Sequence, residues 1–287
     1  MENVGKIPKV IHYCWFGRGE IPSLGRKCID SWKKFFPGYE IIEWNETNFN
    51  LDICDYVKEA YEKEKWAFVS DYARFWILYN YGGVYFDTDV EVISSMDKII
   101  EEGPFMGFEP VTLQAKNSGA PCISVAPGLG MGAYPKMEFY KKILDHYNNE
   151  HFVLEDGSTN YMTVVDYVTK KLLEDGLEKV ESKQIINNIT IYPTEFFCPM
   201  NYETGEIQCT SRTVSIHYYM ASWKNKREKR VLHIQQKLIN IFGKTIGYKL
   251  GRLYSMPYRV TRKLIEKGLI ETFKVVMNNV QRRKKNG

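Results

Sequence analysis

The sequence lacks several features that define whole classes of protein. Its 287 residues hold no apolar run near the roughly 18 residues that a membrane-spanning helix needs, and the N-terminus has no apolar segment like that of a signal peptide. No two cysteines have Cys-x-x-Cys spacing, which predicts reduced, mostly buried thiols rather than a disulfide framework or a zinc site. They are Cys14, Cys28, Cys54, Cys122, Cys198 and Cys209. We therefore expect a cytoplasmic protein, and 44% hydrophobic residues predict a buried core.

Acidic side chains are scarce at one end of the chain. Residues 224–287 contain 18 lysines and arginines but only 3 acids, a net charge of +15. The other 21 basic and 32 acidic residues give residues 1–223 a net charge of −11. This asymmetry predicts a globular domain over 1–223 and a basic, amphipathic helical extension over 224–287. Because the body is acidic, we expect no nucleic acid as a partner.

Hydrophobic patterns predict alternating strands and helices in the body. A strand at 9–16, a helix between Pro22 and Pro37, and a strand at 39–44 form a βαβ unit, which favours a parallel sheet and an α/β fold. The remaining expected elements are helices at 52–63, 67–80, 137–147, 161–173 and from 227 onward, and strands at 84–86, 105–108, 122–126, 189–192 and 213–219.

Two acids follow the short apolar strand at 84–86. Asp87 and Asp89 are one residue apart, so on an extended chain they point to the same side. At the carboxyl end of a sheet strand they face the crevice in which α/β proteins bind ligands. Their oxygens suit Mn²⁺ or Mg²⁺, with phosphate oxygens completing the shell. The pair alone is also compatible with an ordinary acidic turn.

The helix before this strand adds polar residues at the same level. At about 1.5 Å per residue, Asp71 lies about 16 Å from the turn at Gly82. At about 3.3 Å per residue along the strand, Asp87 lies equally far from that turn. Antiparallel packing would then bring Ser70, Asp71 and Arg74 beside the acidic pair. The helix is apolar nearly all round, and a buried Asp or Arg is seldom retained for packing alone. We therefore interpret these residues as functional rather than as a surface ion pair.

Residues near two other strand ends complete the candidate set. Trp15 ends the first strand, where an indole can stack on a base, although a core tryptophan is the commoner case. His217 lies within the predicted strand at 213–219, and an imidazole can serve as a third metal ligand. Ser222 and Trp223 follow, with a hydroxyl and an indole N–H that can hydrogen-bond phosphate.

These motifs resemble the glycosyltransferases that carry a DXD sugar-binding region. The resemblance begins at Ile7 to Gly17 and is strongest over residues 67–90, in Ala67 to Arg74, Leu78-Tyr79, Gly82-Gly83-Val84-Tyr85 and Asp87-Thr88-Asp89-Val90. The block from Tyr192-Pro193 through Phe197-Cys198-Pro199 to His217 and Ser222-Trp223 is similar to the bacterial capsular-polysaccharide branch. That group also contains fungal outer-chain mannosyltransferases and, more distantly, large clostridial glucosylating toxins. The basic extension lies outside the resemblance.

The resemblance implies a GT-A type fold, that of Rossmann-like nucleotide-diphospho-sugar transferases. It also implies a metal-dependent, retaining transfer of a hexose from a nucleotide-diphosphate sugar, foremost a UDP-sugar, to a glycan acceptor of capsular or other cell-surface glycan synthesis. The implied donor-binding residues are Trp15 and Ser70 at the base, Asp71, Arg74 and Asp87 at the sugar, Tyr85 in the pocket wall, and Ser222 and Trp223 over the β-phosphate. Asp71, Arg74 and Asp87 are the implied catalytic residues, and Asp87, Asp89 and His217 the implied metal ligands.

Other interpretations of the same motifs stay open. The segment Gly128-Leu129-Gly130-Met131-Gly132 resembles a dinucleotide loop, but its spacing is not Gly-x-Gly-x-x-Gly, and we expect a tight strand or turn. An apolar strand before Asp-x-Asp also opens phosphatases of the haloacid dehalogenase type, whose pattern has Thr or Val where this chain has Glu91. A nucleotide-sugar-binding module that has lost catalysis is a third reading, although both acids of the pair are present.

The basic extension has two interpretations. Its helices can cover the body with their charged face in solvent. Alternatively, they can lie on the anionic cytoplasmic leaflet of the inner membrane, where each basic residue adds about 1 kcal/mol. Lipid-linked glycan acceptors are built on that leaflet, so the second reading joins the extension to the expected enzyme.

Overall fold

The first βαβ unit lies where the sequence predicts it. The structure is a computed structural model that describes residues 5–110, 123–220 and 226–285, and it describes side chains as far as Thr261, with the exception of Arg259. Strands β1 (Val10–Cys14) and β2 (Glu40–Trp44) pair in parallel, and helix α1 (Ser23–Phe35) crosses between them. Cys28 and Trp32 are buried on one face of α1. The Trp32 indole N–H donates to the Val90 carbonyl at 2.8 Å, which fixes α1 beside the segment after the acidic pair.

The next helix and strand fold back on each other at two glycines. Helix α2 (Asp55–Glu62) precedes α3 (Trp66–Tyr81), which ends at Gly82 with a φ of 64°. Gly83 has a φ of 95°, and a Cβ there would lie 2.7 Å from the Val10 carbonyl oxygen. Glycine suits both requirements because it has no Cβ. The chain therefore turns directly from α3 into β3 (Gly83–Tyr85), which pairs in parallel with β1.

Seven strands of the described residues form one sheet, in the order β2-β1-β3-β6-β5-β8-β7. The later strands are β5 (Phe105–Gly107), β6 (Met131–Ala133), β7 (Gln184–Ile186) and β8 (Ile189–Tyr192). The pairing of β5 with β8 is parallel, like the two pairings that β1 makes. Strand β6 is antiparallel to both of its neighbours, β3 and β5, and β7 is antiparallel to β8. The predicted α/β class is confirmed. The sheet is mixed rather than parallel throughout, because β6 enters it in reverse between β3 and β5.

Strand β4 (Val90–Val92) and strand β9 (Ser215–His217) form a separate antiparallel pair. The remaining helices of the body are α4 (Asp97–Glu102), α5 (Glu138–Tyr147), α6 (Val164–Glu174) and α7 (Thr194–Phe197). Helix α6 starts later than the predicted residue 161, because the Thr163 hydroxyl caps it by accepting the Asp166 N–H.

One predicted strand is wrong. In the described part of 122–126, Val125 makes a single bridge to Phe108, and a 3₁₀ turn (Pro127–Leu129) follows. This apolar run is a buried connecting segment, and composition alone cannot distinguish such a segment from a buried strand.

The core packs on both faces of the sheet, as the alternation of side chains along a strand requires. Val84 and Phe86 join a cluster with Trp32 of α1, whereas Tyr85 between them joins the larger cluster around Phe75 of α3. The sheet is therefore covered on two sides, and the carboxyl end of β3 emerges between two packed layers.

The chain divides into two compact units, Met1–Trp223 and Lys224–Gly287. The second consists of helical residues α8 (Lys226–Lys285) that reverse direction at Gly243, whose φ is 74°. A straight helix would separate Gln235 from Gly251 by about 24 Å, yet a Cβ on Gly251 would lie 3.4 Å from the Gln235 Cα. The described part of α8 is thus a helical hairpin. Within the described residues, no helix is both long and apolar enough to cross a bilayer.

Candidate functional site

Arg74 is the centre of a buried ion cluster at the carboxyl end of β3. Its guanidinium lies 2.9 Å from an Asp71 carboxylate oxygen and 3.4 Å from one of Asp87. Its Nε donates to the Ser70 carbonyl at 3.1 Å, and the group lies over the Tyr85 ring, 5.1 Å from the centroid. The folding back of α3 onto β3 therefore brings together the residues that the sequence analysis expects at one level.

Burial sets the charge of this cluster. The side chains of Arg74 and Asp71 are 5% and 12% exposed. Burial raises the pKa of Asp71 to about 6 against the attraction of Arg74, and it raises the pKa of Asp87 against the same attraction. Burial would lower the pKa of Arg74, but Asp87, Tyr85 and Asp71 raise it. One cation shared by two carboxylates leaves negative charge that a further cation can balance.

Asp89 and His217 form a second buried pair beside the first. The pairing of β4 with β9 sets Val90 opposite His217, and the imidazole Nε2 lies 3.1 Å from Asp89 Oδ1. Asp89 Oδ2 accepts the Met220 N–H at 2.7 Å. Burial would raise the pKa of Asp89, but His217 holds it below its ordinary value. Burial would lower the pKa of His217, but Asp89 holds it well above its ordinary value. Each of the two groups therefore favours the charged form of the other.

The residues present fit a divalent cation. One ligand atom from each of Asp87, Asp89 and His217 lies within 4.8 Å of the others. Two carboxylates and an imidazole suit Mn²⁺, and the carboxylates suit Mg²⁺. Among the described residues, His217 Nδ1 is buried and makes no hydrogen bond of good geometry, although the Cys198 thiol contributes to the raised pKa of the ring.

The glycine-rich segment 128–132 forms a wall of this site. Gly128 lies in the 3₁₀ turn, and its carbonyl accepts the Asp87 N–H at 3.2 Å. A Cβ on Gly128 would lie 2.1 Å from Asp87 Oδ2 and 3.3 Å from Arg74 Nη1. The segment is a turn followed by strand β6, as the sequence predicts. Its direct contact with the acidic cluster, which comprises Asp71, Arg74, Asp87, Asp89 and His217, was not predicted from the sequence.

A half-buried acid was also missed. Glu109 follows β5, and burial raises the pKa of its carboxyl group. Its Oε1 accepts the Ser124 hydroxyl at 3.2 Å, and its Oε2 lies 3.5 Å from the Tyr219 hydroxyl. The Tyr219 ring is 4.4 Å from the His217 ring. The signal was available, because Glu109 is an acid just after an apolar strand, like Asp87.

The other predicted site residues differ in what the structure shows. His12 of β1 lies opposite Tyr85 of β3, so Trp15, the residue after β1, lies at the same edge of the sheet as the acidic pair. The Trp15 indole N–H donates to the Gly19 carbonyl at 2.6 Å. The Ser70 hydroxyl donates to the Trp66 carbonyl at 3.1 Å. Ser222 and Trp223 lie outside the described residues, so their roles stay predictions.

The cluster can hold a cation and lies at the edge of the sheet where α/β proteins, as a class, bind ligands. Comparison with known proteins makes the class more specific. Residues 22–106 match the family described as the glycosyltransferase sugar-binding region containing the DXD motif. This match includes Asp71, Arg74, Asp87 and Asp89 but ends before His217.

Individual relatives agree with the family match. Inositol phosphoceramide mannosyltransferase 1 of Schizosaccharomyces pombe is 31% identical over 119 residues, which cover 37% of this chain and 36% of the yeast protein. Mannosyltransferase 3 of the same yeast is 31% identical over 33% of this chain, and the alignment spans 27% of its own length. An uncharacterized glycosyltransferase of Acanthamoeba polyphaga mimivirus is 24% identical over 230 residues, 76% of this chain and 84% of the viral protein.

Among solved structures, PaToxG glycosyltransferase has a TM-score of 0.42 and 17% identity, over 59% of this chain and 70% of its own. The family match and the sequence relatives show that part of this chain is similar to DXD-containing glycosyltransferases. The chain spans about a third or less of the length of the two yeast proteins, since the alignments cover 36% and 27% of them.

Proposed function

We propose that the protein is a metal-dependent, retaining hexosyltransferase that uses a nucleotide-diphosphate sugar, with a UDP-sugar as the first candidate. The observation that carries the proposal is the cluster of Asp87, Asp89 and His217 beside the Asp71–Arg74 pair. Its acceptor is a glycan, lipid-linked and destined for a capsule or another cell-surface polymer. The basic extension holds the enzyme on the cytoplasmic leaflet of the inner membrane, where such acceptors are built.

Each residue of the cluster has a distinct task in this proposal. Asp87, Asp89 and His217 would hold Mn²⁺ or Mg²⁺, which when bound neutralises charge on the diphosphate leaving group. Arg74 supplies a fixed, buried positive charge, and Asp71 accepts a hydroxyl of the transferred sugar. Because both side chains are nearly inaccessible to water, their interactions with the donor are strong and need little reorganisation.

The remaining donor contacts follow from the family resemblance. Trp15 stacks on the base, Ser70 lies near it, and Tyr85 lines the pocket while its hydroxyl donates to Asp87 Oδ1 at 3.1 Å. Ser222 and Trp223 close over the β-phosphate. These assignments are proposals that substitution of each residue can test.

The bond changes require no enzymatic nucleophile. The acceptor hydroxyl oxygen bonds to the anomeric carbon as the bond from that carbon to the β-phosphate oxygen breaks, and the electron pair leaves with the diphosphate. Attack from the face of the leaving group retains the anomeric configuration. The acceptor proton then passes to a phosphate oxygen of the departing diphosphate. A glycosyl adduct trapped on any side chain would contradict this mechanism.

Donor hydrolysis tests the proposal directly. We expect the purified protein, with manganese, to release nucleotide slowly from one member of a panel of nucleotide sugars. Asp89→Asn should lower this rate by about a hundredfold or more, since it removes charge from the cation site. Asp30→Asn is the matched control, because Asp30 is a 69% exposed acid on α1. The anomeric configuration of a transferred sugar, read by NMR, tests retention.

Two other results would replace the proposal. Hydrolysis of simple phosphomonoesters without sugar transfer would favour a phosphatase of the haloacid dehalogenase type. Binding of a nucleotide diphosphate in calorimetry, without turnover of any donor in the presence of glycan acceptors, would favour an inactive nucleotide-sugar-binding module.

A further inference from the structure

The turn of the helical hairpin in α8 exposes apolar side chains where a turn normally carries polar ones. Residues 240–246 are all exposed. Ile241 is 70% exposed, Phe242 49% and Ile246 57%, on either side of the reversal at Gly243. Water contacts three large hydrophobic groups within six residues, which costs free energy unless another surface covers them.

The second helix of the hairpin extends this surface. Gly247, Gly251 and Ser255 recur every four residues and are buried. A Cβ on Gly247 would lie 2.4 Å from the Ile239 Cα, so this side faces the first helix closely. Leu253 lies about 200° around the helix from Gly251 and is 66% exposed. The helix thus has one face against its partner and an apolar face turned away from it. We call Ile241, Phe242, Ile246 and Leu253 the tip surface.

Contacts at the other end keep the two helices together. The Tyr258 hydroxyl donates to a Glu228 carboxylate oxygen at 3.1 Å, and the Arg227 guanidinium lies 4.8 Å from the centroid of the Tyr258 ring. The two helices that carry the tip surface are therefore held together at two places, at the glycine contacts and at Tyr258.

The charges around the tip surface identify what it contacts. Lys237, Lys244 and Lys249 are exposed beside it, and residues 224–287 carry a net charge of +15. Apolar side chains among cations match a phospholipid interface with anionic headgroups, where lysine stems lie along the apolar layer and the ammonium groups remain at the headgroups. A second copy of the same surface would place these lysines against one another.

We propose that the tip surface inserts into the headgroup and acyl-chain boundary of an anionic phospholipid bilayer, with the hairpin as a peripheral wedge. This inference deepens the membrane placement in the proposed function and rests on it only for the identity of the acceptor. It names the residues that enter the lipid, whereas net charge alone would predict attraction by every part of the extension equally.

Flotation of the full chain with vesicles tests the inference. We expect binding to phosphatidylcholine vesicles that contain phosphatidylglycerol, and much weaker binding to phosphatidylcholine alone. Phe242→Ser with Ile246→Ser should lower partitioning about a hundredfold, about tenfold for each buried side chain. Ile185→Ser is the matched control, since Ile185 is 68% exposed on β7 of the body, and it should bind like the unmodified protein. Equal binding by the double variant would overturn the insertion of the tip.

Depth and charge give independent readouts. Phe242→Trp should add tryptophan fluorescence that lipids brominated in the acyl chain quench, relative to the unmodified protein. Lys244→Gln with Lys249→Gln should weaken binding to anionic vesicles by about 25-fold, about fivefold for each lysine. Absence of added quenching would refute insertion, and a change of oligomeric state in the serine variant without loss of vesicle binding would assign the surface to a second copy.

The proposed transferase is tested separately from the wedge. The serine variant should keep the donor hydrolysis and thermal stability of the unmodified protein, because it changes no residue of the acidic cluster. Vesicle binding without any donor turnover would leave the wedge standing and remove the proposed function. Donor turnover without vesicle binding would support the proposed function and refute the wedge.

Discussion

Replacing Gly128 by alanine should damage the acidic cluster while leaving the fold intact. The added Cβ would start 2.1 Å from Asp87 Oδ2, whereas ordinary contacts begin at 3.4 Å, so the carboxylate or the turn must move by about 1.3 Å. The Asp87 N–H is hydrogen-bonded to the Gly128 carbonyl, which couples the two segments. Arg74 Nη1, 3.3 Å from the same Cβ, prevents the methyl group from moving sideways.

The size of the effect follows from this displacement. A shift of about 1 Å in a group that positions a substrate can cost about a hundredfold in rate, and disturbed support of a metal ligand costs about 10–100-fold in affinity. We therefore expect Gly128→Ala to weaken Mn²⁺ binding by about 10–100-fold, and to lower donor hydrolysis by about a hundredfold. Manganese binding can be followed by electron paramagnetic resonance without any substrate.

Gly5→Ala is the control, because a Cβ on Gly5 meets its nearest neighbour, the Tyr134 ring, at 3.8 Å. It should leave both measurements unchanged. The reasoning would be refuted if Gly128→Ala bound manganese as the unmodified protein does, with a circular dichroism spectrum that shows normal folding. Loss of folding would instead show that the turn itself depends on the glycine.

Three further predictions concern stability and can be checked by urea unfolding. Burial lowers the pKa of His12 from 6.5 to about 4. Between these pH values the unfolded chain binds more protons than the folded one, so the free energy of unfolding falls by about 3 kcal/mol as the pH drops from 6.5 to 4. His12→Gln should show a smaller loss, and an identical pH profile would count against this assignment. Trp32→Ala should cost about 3–5 kcal/mol, because it empties a fully buried site and leaves the Val90 carbonyl without its donor; a cost below about 1 kcal/mol would show that α1 collapses into the gap. Arg74→Met should cost about 3–5 kcal/mol by leaving the buried Asp71 carboxylate and its neighbour Asp87 without their shared cation, and a neutral result would mean that both acids take up protons instead.

The strongest patterns in the sequence located the elements that position the site. Helix α3 was predicted at 67–80 and runs from Trp66 to Tyr81, because its apolar residues cover most of its surface and Gly82 ends it. The adjacent glycines also fixed where β3 begins. These local signals were sufficient to place Asp71, Arg74 and Asp87 together.

Contacts between distant segments could not be predicted in the same way. Strands β4, β6 and β7 have three residues each, too few to show a period. The mixed sheet results from where β6 inserts, which depends on packing across the sheet rather than on its own residues. The acidic cluster was therefore predictable on its α3–β3 side, and the acid after β5 had the same local signal, whereas the contact of Gly128 with Asp87 depended on a pairing that no short window contains.

In α8 too, the helices could be predicted from local patterns, whereas their contact with each other could not. Amphipathic helices were predicted from residue 227, and the structure has helical residues from Lys226. A glycine within a helical pattern is tolerated at modest cost, so Gly243 alone does not predict a reversal. The reversal becomes evident only from the close approach of Gly247 and Gly251 to the first helix.

The pairing of β4 with β9 joins two parts of the chain that are synthesised far apart in time. Asp89 is hydrogen-bonded to the backbone of Met220, 131 residues later. A ribosome that has released the chain as far as Asp89 has already delivered Arg74 and both acids of the Asp-x-Asp pair, but the imidazole of His217 emerges only after most of the body has been translated. Domains fold as units during synthesis, so the proposed cation site is completed among the last parts of the body, and a nascent chain shorter than this would hold the acids without their histidine.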